Sequence, residues 1–364
     1  MIPKKVFYNL IFTGLLLIIS TICFNSNLVI KTVDIKDEIE HILNIYFMER
    51  CSSFVTGNYQ NLENQFDLSS KYGKWSFEHE KKRIDFINKW CSLREIKLVN
   101  AESKIKIFSI KENKNSIKVY LSDITKIGYI YLNQDEAPLN EFSYGTRHSM
   151  TLIYKNGNYY ITTDWYNDPL DDTIQETGTP AQNIIESEAS KYIWVKYDRK
   201  KAVEYADKYC GANFYIEDGY KYNKKYRNFA DLGGDCANFA SQVLSDKEAG
   251  GIKMGGGWLY RNGEASASWV NAGAFTYHML YSGKAKLIAK GKYSKVINSI
   301  QYLSPGDIIA YQRKNDIVHV SIVTAIDSMG VPMVNSHTND RYHVPWDLGW
   351  NSSDITFWLL KING

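Results

Sequence analysis

Residues 231–251 read DLGGDCANFASQVLSDKEAGG, and the reading of this stretch decides the fold of the C-terminal half. From Cys236 onward, Cys236, Phe239, Ala240, Val243 and Leu244 recur at the spacing that lines one face of a helix. The pattern predicts a helix that starts after Asp235, a natural N-cap, and stops at Gly250-Gly251. Cys236 then falls in the first turn, where unpaired backbone N–H groups and the positive end of the helix dipole favour a thiolate. The same N–H groups suit an oxyanion. Gly233-Gly234 leave room for a substrate to approach the main chain. Helix position alone suits a buried structural cysteine equally well, because free Cys is among the most buried residue types. The rest of the chain has to decide between the two.

Downstream, residues 255–274 read GGGWLYRNGEASASWVNAGA, a Gly-rich loop carrying Trp258, Tyr260 and Trp269. It lacks the spacing and the preceding strand of a phosphate loop, and anchoring of the loop onto the core is the role expected for at least two of its rings. Strands resume with SPGDIIAYQ at 304–312 and DIVHVSIVTAID at 316–327. His319 begins a strand placed to oppose the helix that holds Cys236. A turn at 327–330 leads into VPMVNSHT at 331–338, which predicts a hairpin returning past His319. Residues two apart on a strand share a face, so Asn335 and His337 are both expected beside His319. Either would then orient the imidazole as the third member of a triad does. Asp235 and Asn238 are explained by capping and buried hydrogen bonding. A zinc site of His337, Asp340 and His343 lacks tight ligand spacing, so no metal and no cofactor is expected.

Upstream, NDPLDDTIQETGTPA at 167–181 has no periodicity and marks a linker ahead of a domain spanning 182–364. Before it, 34–166 reads as a smaller α+β module. An amphipathic helix is expected from about 34 to 72 and a second around 78–90, followed by strands of period two and an Asn156-Gly157 turn. Helices and then a meander suggest a curved sheet wrapped on a helix. His148 reads as a structural residue, and the module as one that positions or binds something. At the N-terminus, residues 6–24 are apolar behind Lys4 and Lys5, long enough to span a bilayer. We read 1–25 as a membrane anchor, favoured over a cleaved signal peptide, with the rest of the chain exported and facing outward.

A net charge of +3 over 364 residues implies no nucleic-acid partner, and 44% hydrophobic with 23% charged residues fits a folded protein. The cysteines are Cys23, Cys51, Cys91, Cys210 and Cys236, with no C-x-x-C pair. They leave a Cys51–Cys91 disulfide open.

The run GGDCANFASQ, the PGDIIAY and VHVSIVT strands and the NSHTNDR segment together resemble the putative amidase domain of bacterial exported proteins. That family sits in the papain-like clan beside the NlpC-type and CHAP-type cell-wall hydrolases, and the likeness covers roughly residues 202–351. It implies a papain-like cysteine hydrolase domain, a helix packed on an antiparallel sheet, with Cys236 as nucleophile and His319 as general base. Asn335 matches the orienting residue of related hydrolases by position, whereas the H-T pair is the family's own signature and points to His337. The implied activity is hydrolysis of a peptide or peptidoglycan amide bond through a thioester, without a cofactor. The alternatives are an exported binding or scaffold protein with a degenerate hydrolase domain, and a Cys–His acyltransferase.

Overall fold

The computed structural model describes residues 35–134, 136–170, 194–230, 234–350 and 354–364. The apolar stretch at 6–24, Cys23, most of the 167–181 linker and Gly233 lie outside the described residues. Among the described residues, no helix is long and apolar enough to cross a membrane. Residues 42–364 form one compact unit, and the described residues before Ile42 belong to another.

Helix α1 spans Ile35–Thr56, the single turn α2 spans Gln60–Glu63 and α3 spans Lys71–Leu93. The first helix is shorter than its periodicity predicts, and the second begins earlier. Ser70 starts α3 by accepting a hydrogen bond from the Gly73 N–H, satisfying one of the donors a helix start leaves over. Four strands follow: β1 Ile96–Asn113, β2 Ser116–Tyr131, β3 Asn140–Lys155 and β4 Asn158–Tyr166. Asn156 and Gly157 both take positive φ, +53° and +84°, which a two-residue turn between β3 and β4 requires. Register shifts after Leu98 and Ile107 bend β1 against β2, curving the ribbon around the helices.

The core between helices and ribbon is largely apolar and holds a buried charged network. The buried Arg50 guanidinium donates from Nε to Glu80 at 2.7 Å and lies 3.5 Å from Asp123. Tyr166 donates to the same Glu80, and Asp164 takes the Tyr46 hydroxyl at 2.9 Å and pairs with His148 Nδ1 at 2.8 Å. Cys51 and Cys91 are free, and burial pushes each thiol up to about 12.

The second half holds α4 Arg199–Tyr209, α5 Cys236–Ser245, the small pair β5 Tyr260–Arg261 and β6 Glu264–Ala265, α6 Ala267–Val270 and α7 Ala272–Tyr281. Then come β7 Ala285–Gly291, α8 Tyr293–Val296, β8 Ile308–Arg313, β9 Asp316–Ile326, β10 Pro332–Ser336, β11 Arg341–Pro345 and β12 Ile355–Ile362. The chain is thus mixed α/β with a large antiparallel sheet. Its order is β1-β2-β3-β11-β10-β9-β8-β12-β7, with β4 on β3. The sheet crosses from one half to the other at β3, where Ser143 and Tyr144 pair with Tyr342 and Arg341 while His148 to Lys155 pair with β4.

Helix α5 is buried on all sides and not on one face only, from Cys236 through Leu244. The glycine-rich loop covers its polar face. Trp258 donates its indole N–H to Ser241 and Trp269 donates its own to Asn238, both at 2.8 Å. The helix stops at Ser245, ahead of the glycines. Gly250 and Ile252 then donate back to Val243 and Leu244, and a Cβ on Gly250 would lie 2.3 Å from the Tyr197 ring.

Removing the Arg50 guanidinium, which meets both Glu80 and Asp123, leaves two buried carboxylates without that partner. Arg50→Ala should therefore lose about 3–5 kcal/mol of stability in a urea melt. A midpoint matching that of the unaltered chain would show that the network carries no stability.

Candidate active site around Cys236

Cys236 is the first residue of α5, as its sequence position predicts. Burial raises its thiol to about 11, against a smaller lowering by the nearby backbone N–H groups of Val320 and Ala237. At neutral pH this is a thiol. No imidazole hydrogen-bonds to the sulfur among the described residues.

The structure does not bring Cys236 and His319 together. Across the β8–β9 ladder Ala310 pairs with Val320, and both face the cluster that contains Cys236, Phe239 and Trp269. Tyr311 pairs with His319 on the other face, where Tyr311 packs with Val334, Trp346, Trp350 and Phe357. The His319 ring lies 5.0 Å from the Trp350 ring and 5.7 Å from Tyr311, centroid to centroid. Burial, and secondarily the charge of Arg341, depress its pKa to about 3, and its Nε2 has no hydrogen-bond partner. A neutral imidazole in apolar surroundings, on the far side of the sheet from the thiol, is not placed to take that thiol's proton.

Asn335 parts from His319 for a reason of register. Pro332 and Met333 pair with Ile326 and Ala325, and the same count would set Asn335 opposite Val323, on the His319 face. A register shift after Met333 sets it opposite Ile322 instead, on the Cys236 face. There its Oδ1 accepts from Thr324 Oγ1 and the His343 N–H, and its Nδ2 donates to Asp207 at 2.9 Å. His343 Nε2 lies 3.0 Å from the same Asp207 oxygen.

His337 is the predicted residue that reaches the cysteine's turn. Its Nδ1 is 2.7 Å from Asp235 Oδ2 and its Nε2 is 2.6 Å from the Tyr209 carbonyl. Its ring lies between Tyr222, at 3.7 Å, and Phe239, at 4.1 Å. The next residue, Thr338, accepts the Asp235 N–H at 2.6 Å. Asp235 sits at the N-cap position, but its carboxylate does not cap the helix. Oδ1 accepts instead from the Phe229 N–H and from Asn238 Nδ2. Nothing in the sequence marks Tyr209 or Asp207 as partners here, and Thr338 is marked only as the second member of the H-T pair. The adjacency of D-C and the H-T pair was the available signal. His337, Asp340 and His343 each serve different partners, with Asp340 held by Tyr222 and Arg147. Among the described residues, no group of His, Cys, Asp and Glu could hold a metal ion.

A mixed α/β domain with a cysteine opening a buried helix is thus the setting for comparison with known proteins. Residues 196–360 match the model described as the putative amidase domain. Two uncharacterized proteins of Bacillus subtilis (strain 168) are similar. YhbB is 34% identical over 178 residues, 46% of this chain and 48% of that protein, and YjcM is 30% identical over 158 residues, 41% and 32% respectively. The chain therefore spans about half or less of these relatives' length. Among solved structures, the intermembrane space region of the chloroplast protein ARC6 aligns with a TM-score of 0.27 at 12% identity, over 37% of this chain and 96% of that one. A putative dehydratase of the NTF2-like family from Streptomyces avermitilis aligns with a TM-score of 0.25 at 6% identity, over 36% and 96%.

The depressed His319 pKa fixes a pH dependence. As pH falls below about 6.5 the unfolded chain binds a proton there, while the folded chain does not until about 3. Stability present above 6.5 is therefore lost progressively toward 3. His319→Phe should shrink the fall in urea midpoint between pH 7 and pH 4.5. An undiminished fall in the variant would place the acid sensitivity elsewhere.

Proposed function

We propose that the chain is an exported amide-bond hydrolase acting on peptide or cell-wall peptidoglycan, with Cys236 as its nucleophile in a papain-like arrangement. The observation that carries this reading is the position of Cys236. It opens α5, whose first-turn backbone N–H groups have no partner within the helix, inside a domain that matches the amidase model. Donors of that kind stabilise a thiolate and, once the sulfur has bonded to carbon, the oxyanion beside it. Attack forms the S–C bond, the C–N bond breaks as the amine leaves with a proton, and water cleaves the thioester. No cofactor enters these steps. Export rests on the apolar stretch at 6–24 behind Lys4 and Lys5.

Because the resting thiol is protonated, attack needs a base. We assign His337 to that role and Asp235 to the orienting role, since the imidazole bonds the carboxylate of the residue next to Cys236. In the resting arrangement His337 Nε2 donates to the Tyr209 carbonyl, so arming the site means that Nε2 gives its proton to water and turns from the carbonyl to accept the thiol's. The absence of an imidazole on the Cys236 sulfur among the described residues favours a second reading, a binding or scaffold protein with a degenerate hydrolase domain. The two differ in thiol chemistry. An armed Cys236 reacts with iodoacetamide at neutral pH faster than free cysteine, and a degenerate one does not.

Mass spectrometry of isolated cell wall incubated with purified protein tests the assignment. Cys236→Ala should abolish release of new products. His337→Gln should slow release by roughly 10²–10⁴-fold, and His319→Phe should leave it near the original rate. Full turnover in Cys236→Ala sinks the reading. A folded but inactive His319→Phe would return the base to His319.

A further inference from the structure

The helical module carries a hollow that the amidase reading leaves unused. It is about 350 Å³ in volume and opens between the N-terminal half of α3 and the end of β4. Tyr72, Trp75 and Trp165 stand around it with 58%, 55% and 73% of their surfaces exposed. Large rings left in water around one concavity cost free energy unless something covers them. The floor is polar and fixed. Ser76 Oγ accepts the Asp164 N–H, which leaves its own proton to donate, and His79 Nε2 lies 3.2 Å from Asp168. Asp164 is held by His148 and Tyr46, and Asp168 by His79 and Arg83, so neither carboxylate offers an unspent charge to a cationic ligand. Lys71 Nζ stands over one face of Trp75 at 4.4 Å, so Trp165 and the rest of Trp75 are the flat surfaces open to a ligand, and above polar groups already paired they complement a pyranose ring, whose C–H face is apolar and whose edge is hydroxylated.

The hollow is also joined to the amidase site. Asn167, which lines it, donates from Nδ2 to Asn339 Oδ1 at 3.0 Å. Asn339 stands two residues beyond His337, in the turn whose Thr338 holds the Asp235 N–H. Thr338 and Asn339 both have positive φ, +54° and +73°, so this turn has a fixed shape.

We propose that this hollow binds the sugar rings of a glycan and so presents a glycan-linked peptide to Cys236. The inference deepens the hydrolase reading by naming the substrate class, and it rests on that reading for the peptide alone. The rings stack on Trp165 and Trp75, Ser76 and Asn167 bond the sugar edge, and the 336–341 turn sets the distance to the cysteine.

The test uses the full chain bearing Cys236→Ala, so that nothing is consumed, and titrates it with N-acetylglucosamine oligosaccharides of four to six sugars. Calorimetry should show saturable binding. Trp165→Ala and Trp75→Ala, each added to that background, should weaken it at least about ten-fold, as loss of a central aromatic contact does. Trp165 is so exposed that its removal leaves the fold intact, which a thermal melt verifies. No binding of the oligosaccharide, or binding indifferent to both tryptophan changes, overturns the inference while leaving amide hydrolysis standing. A glycan-free stem peptide that competes with the oligosaccharide for the hollow overturns it as well. Saturable tryptophan-dependent binding by a chain that hydrolyses nothing would uphold the glycan site and sink the hydrolase.

Discussion

The Asp235 carboxylate is the junction on which the second half of the molecule depends. One oxygen takes the Phe229 N–H and the Asn238 amide, the other takes the His337 imidazole, and the residue's own N–H goes to Thr338. The buried start of the cysteine helix, the loop before it and the turn after β10 are thereby fixed to one another. A buried carboxylate so fully bonded is expensive to disturb, because every partner it loses leaves a polar group stranded in the core. Cys236 is held in its place by the residue before it.

Sheet parity does the sorting around this junction. Side chains alternate along a strand, so an inserted residue sends everything after it to the opposite face. The shift after Met333 delivers Asn335 to the helix side and joins it to Asp207 and His343. On β9, His319 keeps company with Tyr311 and Trp350 on the other side. Three polar residues that the motif pattern groups together are thus divided by a sheet one residue thick. His319 fills an apolar site as a neutral ring, and His337 lies against the helix start.

The first half is joined to this arrangement through hydrogen bonds of the main chain. Strand β3 pairs with β11 at Tyr144 and Ser143, so the curved ribbon and the amidase strands form one sheet. Beneath that ribbon the charges around Arg50 are buried in pairs, and His148 is spent on Asp164 and Thr146. The same network that stabilises the module also makes the floor of its aromatic hollow rigid. A rigid floor loses little entropy on binding a ligand.

Much of this was legible in the residues. Helical spacing found α5 and α3, period-two alternation and the Asn156-Gly157 turn found the β meander, and the turn at Asp327 to Gly330 found the β9–β10 hairpin. Those signals are local, and local sterics and burial patterns set them without reference to distant partners. That rings of the glycine-rich loop anchor it on the core was legible, but that Trp258 and Trp269 land on the polar side of α5 was not, because the place they reach is set by contacts distant in sequence. The partners of His337 and the faces of His319 and Asn335 were decided only in three dimensions. Bulges carry no residue signature strong enough to read, and one of them reverses which side chains meet.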